Sequence, residues 1–134
     1  MIIERIKSSR LTGLGLGDID WTFPIGPVLI FCKDKNNLRM LSNLLLEIFY
    51  DQKTPLALNT ESSKGLFEVW ISRKNTHYHI QQDFSQRGNE FVRSSTLVIE
   101  VLTGQKVSLP ATLTLGEYIF GVNLQAFRQG VVVN

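Results

Sequence analysis

The sequence predicts an α+β fold in which a mostly antiparallel β-sheet packs on one main helix. Three observations point there. Apolar residues alternate with polar ones over several short segments, as half-buried strands require. One long stretch, residues 36–50, carries apolar residues at spacings of three and four. That helix falls between two early strands and a later run of strands, so β and α elements do not alternate as a parallel sheet demands.

In chain order, residues 2–8 alternate loosely, Ile2 and Ile6 against Glu4 and Ser8, and read as a first strand. Gly13, Gly15 and Gly17 then recur at every second position. Such a run suits a turn or bulged strand, because glycine accepts positive φ and close backbone approach. A dinucleotide fingerprint is the sharper reading, but the last glycine spacing is wrong and no helical pattern follows. Ile19, Trp21 and Phe23 alternate as a second strand, closed by Pro24 and the Gly26–Pro27 turn. Residues 27–31 form a short apolar strand, and residues 32–37 make a polar turn into the helix. Leu38, Leu41, Leu45 and Ile48 or Phe49 line one side of that helix, while Leu44 and Leu46 widen the stripe. Asp34 would cap its start, where free amide hydrogens favour a carboxylate, and Lys53, Thr54 and Pro55 would stop it.

Residues 54–64 are polar and read as a loop. Phe67, Val69 and Ile71 alternate with Glu68 and Trp70 in a half-buried strand. Residues 73–76 form a turn, and Tyr78, Ile80 and Phe84 carry the returning strand before a polar stretch at 83–89. A further strand covers 95–102, and Thr103 and Gly104 turn it into a short partner around 107–109. Helical patches at 117–120 and 124–128 and an apolar strand at 131–133 close the chain.

The bulk properties bound the function classes. At 134 residues the chain is a single domain, 1–134, large enough for a real core. A net charge of +2 gives little attraction to nucleic acid or membrane surfaces. The longest apolar run, residues 28–32, is far short of a membrane span, and the N-terminal segment carries Glu4 and lacks the apolar core of a signal peptide. One cysteine excludes an internal disulfide and suits a reducing compartment. A cytoplasmic location without membrane attachment is the expectation.

Strand, turn and helix over residues 26–51 is the architecture of a phosphate-binding loop, and the chemistry differs from it. The pattern G-x-x-x-x-G-K-[ST] would fall on Cys32, Lys33, Asp34, Lys35, Asn36, Asn37, Leu38 and Arg39. Cys32 and Asn37 stand at the glycine positions, where side chains obstruct the backbone curl that points amide hydrogens at phosphate. Leu38 brings no charge to the terminal phosphates, and Arg39 does not coordinate magnesium.

Taken together, the segments resemble the N-terminal lobe of an ABC-type ATPase head of the SMC, RecF, SbcC and YhaN kind, a P-loop NTPase-like fold. The family's opening strand and "GFG" turn are answered by Leu11-Thr12-Gly13-Leu14-Gly15, and its loop strand by Gly26-Pro27-Val28-Leu29-Ile30-Phe31. Its leucine-rich helix closes at Glu47-Ile48-Phe49-Tyr50-Asp51, its "RDF" element matches Gln82-Asp83-Phe84, and its last element matches Phe120-Gly121-Val122-Asn123 through Phe127. In that family the strand matching residues 131–133 leads into a glutamine loop, and a coiled coil, signature motif and Walker B carboxylates follow. The chain stops at Asn134, which fits either the first piece of a longer pseudo-ATPase or a lone lobe.

The resemblance and the four changed loop positions imply a catalytically inactive head-like lobe, with no cofactor and no enzymatic activity. It would act through protein–protein association in DNA maintenance or repair. The partner would be its own missing lobe, another copy or an active relative. The apolar segment 115–133 and an open sheet edge would supply the contact. The alternative is a nucleic-acid-binding module using Lys33, Lys35, Arg39, Arg73 and Lys74. Ordinary solvated charge is the plainer account of those residues. His77 and His79 share a strand face with Gln81 and Asp83, but without a third strong ligand they read as a solvated hairpin rather than a metal site. Cys32, at a strand end with no histidine near it in sequence, reads as packing rather than as a nucleophile.

Overall fold

The computed structural model describes residues 2–9, 19–23, 35–51, 64–87, 90–121 and 123–130. These residues form a small α+β protein. Five strands, β1 (Ile2–Ser9), β2 (Ile19–Thr22), β3 (Lys64–Arg73), β4 (Thr76–Arg87) and β5 (Glu90–Glu100), make one sheet in the order β2-β1-β3-β4-β5. Every pairing is antiparallel. The helices are α1 (Lys35–Tyr50), α2 (Leu115–Phe120) and α3 (Leu124–Gly130). The strand expected at 27–31, the glycine run at 13–17, the loop residues 54–63 and the terminal strand at 131–133 lie outside the described residues.

Strand alternation divides the sheet into two faces. Ile6, Val69, Ile80 and Val98 stand in register across four strands, all buried, and Ile71 and Phe67 extend the same face. They share one core with Leu41, Leu44, Leu45, Ile48, Phe49 and Tyr50 of α1. Each such fully buried side chain contributes roughly 1.5–3 kcal/mol relative to exposure, so this layer dominates the stability of the fold. The buried residues of α1 spread around much of its circumference, and α2 and α3 pack on its C-terminal end. Phe120 packs on Phe49 with ring centroids 4.9 Å apart, and Phe127 packs on Tyr50 at the same separation.

Two bulges shift the alternation. Between Ile3 and Arg5 the register of β1 against β3 slips by one residue, so Ile3 and Ile6 both reach the core. Ser8, two residues on from Ile6 and past the bulge, faces inward with it by ordinary strand alternation, so the two are not on opposite faces as expected. The Ser8 hydroxyl accepts a hydrogen bond from the Ile19 amide at 3.2 Å. The second bulge sets Ser94 and Ser95 of β5 opposite Asp83 of β4. Buried Gln82 fills it, its amide donating to the carbonyls of Ser94 at 2.7 Å and Asp83 at 3.0 Å while its oxygen accepts from Thr96. β4 pairs with β3 as far as Ser85 and with β5 as far as Arg87, where β5 starts at Glu90, so residues 83–87 of the polar stretch are strand. Local polarity yields to ladder hydrogen bonds and to Phe84, which is fully buried.

The helix ends also differ in detail from the expectation. α1 stops at Tyr50 with Asp51 in the left-handed region at φ 53°, ahead of Lys53, Thr54 and Pro55. The Asp51 carboxylate accepts from Arg93, which ties this helix end to β5. At α2, Thr114 and Glu117 form a reciprocal capping box, and Gly121 closes the helix at φ 69°.

Candidate functional site

The helix that would follow a phosphate loop begins at Lys35. Lys35, Asn36 and Asn37 therefore already have helical backbone, so the second glycine position of the pattern lies inside the first turn of α1 and not at a bend before it. Leu38 and Arg39 continue the same helix. Cys32, Lys33 and Asp34 lie outside the described residues.

The two remaining candidate basic residues sit at the β3–β4 hairpin. Lys74 and Asn75 form its two-residue loop, both with positive φ of 48° and 66°, the backbone twist that joins tightly paired strands. Lys74 is exposed. Arg73 is not directed to solvent as an anion contact requires. Its guanidinium donates to the carbonyls of Ile119 at 2.5 Å and Tyr118 at 3.3 Å, which lie in the last turn of α2. A cation there satisfies helix carbonyls that have no partner within the helix.

Chemistry-bearing side chains gather instead on the solvent-facing side of the sheet. Arg5, Trp70 and His79 stand in register on β1, β3 and β4. The guanidinium carbon of Arg5 lies 4.6 Å from the indole centroid, and the His79 ring stacks on the indole at 4.2 Å with planes 9° apart. Because β3 runs between the other two strands, Arg5 and His79 take opposite faces of Trp70. No planar ligand can stack on an indole so enclosed. Arg5 also holds Asp20 of β2 through two bonds at 2.8 and 2.7 Å. This hydrogen-bonded pairing raises the Arg5 pKa and lowers that of Asp20, with desolvation opposing both shifts.

Each histidine faces a carboxylate. His79 Nε2 lies 2.7 Å from Glu68 Oε2, and His77 Nδ1 lies 2.7 Å from Glu4 Oε1. A ring nitrogen that donates to a carboxylate has no lone pair for a metal, so only the other nitrogen of each ring is open to ligation. Among the described residues no group of three or more His, Cys, Asp or Glu is arranged to hold a metal ion. His77, His79, Gln81 and Asp83 do share one face, as the sequence indicates, and Tyr78 and Ile80 share the other.

The surfaces expected to meet a partner are partly occupied by the chain itself. Leu115, Ile119, Phe120 and Phe127, from the apolar C-terminal segment, are buried in the core. The β5 edge is interrupted by the Ser94–Ser95 bulge, and near Glu100 the returning chain covers it. There Lys106 bridges Ile99, and the Val107 amide donates to the Val98 carbonyl at 2.9 Å. Both devices discourage strand addition. The exposed large apolar side chains among the described residues are Val101, Leu102 and Leu113, with Leu102 79% exposed. Among the described residues, no helix is long and apolar enough to cross a membrane.

The sequence did not single out Arg5, Asp20, Glu68 or Trp70 as a group. The two-residue turn at Lys74–Asn75 was the available signal, since it fixes Trp70 opposite His79 by counting back along the hairpin. Arg5 and Asp20 join only through longer-range pairing. No protein-family model and no curated protein matches the sequence.

Proposed function

We propose that the protein is a non-catalytic, P-loop NTPase-like lobe, similar to the N-terminal lobe of ABC-type ATPase heads, that works through protein–protein association. One observation carries this reading. Leu38 and Arg39 stand where a phosphate-binding loop needs its lysine and its magnesium-binding hydroxyl, and Cys32 and Asn37 stand where it needs glycine. Helical backbone from Lys35 onward supports it, because residues already wound into α1 cannot curl around a phosphate chain. So does the order of elements, with two antiparallel strands, a buried helix, an antiparallel meander and two short helices following one another.

Association is favoured over nucleic-acid binding because Arg73, one of the basic residues that the nucleic-acid reading needs, donates instead to the carbonyls of α2. Calorimetry with ATP and magnesium is expected to give no heat of binding; micromolar affinity would overturn the inactive reading. Light scattering across a concentration series is expected to give a mass above the 15.2 kDa of one chain, as the self-association form of the proposal requires. A duplex DNA titration at low salt is expected to be silent, and tight binding with a steep salt slope would transfer the assignment to the nucleic-acid class.

A further inference from the structure

We draw no further inference here: the strongest candidate, the solvent-facing side of the sheet where the Arg5–Trp70–His79 stack lies beside Leu97 and Ile99 of β5 and the exposed Val101, carries nothing because nothing in the structure shows what covers it.

Discussion

Gly116 lies flat against the ring of Tyr50, so close that a Cβ on the glycine would stand 2.3 Å from the tyrosine Cζ. The contact lets α2 settle on the C-terminal end of α1 and brings Phe120 and Phe127 onto Phe49 and Tyr50. In G116A, helix propensity favours alanine by about 1 kcal/mol, but overpacking against a buried ring costs roughly 1–3 kcal/mol. Urea unfolding is therefore expected to move to lower midpoint. In G116A/Y50L the smaller side chain relieves the clash, and the loss is expected to fall below the sum of the single changes. A G116A protein as stable as the parent would refute the close packing.

Tyr50 also reports on burial through its proton. Desolvation, reinforced by nearby Glu117, pushes its phenol up to about 12. The folded state thus keeps this proton above pH 10 while the unfolded chain releases it. Stability should fall as pH rises from about 10 towards 12, by up to about 1.4 kcal/mol per pH unit from this group. Y50F should flatten that part of the profile. Tyr78 is raised by burial as well, so some alkaline dependence is expected to remain. Unfolding free energies measured between pH 9 and pH 11.5 test this, and a profile unchanged in Y50F would contradict it.

Arg73 joins the hairpin turn to the end of α2. Removing it in R73A leaves two carbonyls without their charged donor, an expected loss of roughly 1–3 kcal/mol. R73K should recover only part, since one ammonium lacks the fork that reaches both oxygens. Thermal melts of the two variants give the order. Equal stability of R73A and the parent would return Arg73 to the pool of free surface cations.

Gln82 is the staple of the β5 bulge. Q82L keeps similar volume and removes the donors, leaving the Ser94 carbonyl without this partner at an expected cost of roughly 1–3 kcal/mol. Amide hydrogen exchange should quicken at residues 82–96 before it quickens in β1. Uniform protection across both regions would show that the bulge does not depend on this side chain.

On the solvent-facing side, the Arg5 bond lowers the Asp20 pKa below its ordinary 3.8. A depressed carboxylate stabilises the fold above the unfolded value, and that contribution disappears as pH falls through the folded one. NMR titration of the parent should place Asp20 below 3.8, and R5A should bring it back up. An unchanged Asp20 midpoint in R5A would exclude the pairing as the cause.

The sequence by itself determined the residues of α1, the α+β class and the two-faced character of β3 and β4. Each rests on local periodicity: the apolar stripe from Leu41 to Phe49, and the alternation of Phe67, Val69 and Ile71 with Glu68 and Trp70. It also determined that positions 38 and 39 carry leucine and arginine, which supply neither a lysine ammonium nor a magnesium-binding hydroxyl wherever they are placed. Tertiary structure decided the rest. The inward placing of both Ile3 and Ile6 and the long run of β4 come from bulges and ladder bonds that depend on a neighbouring strand. The occupation of Arg73 by α2 joins residues 46 apart in the chain, and the Arg5–Trp70–His79 stack crosses three strands. Periodicity tells which way a side chain faces. What it meets there is set by register and packing between segments distant in sequence.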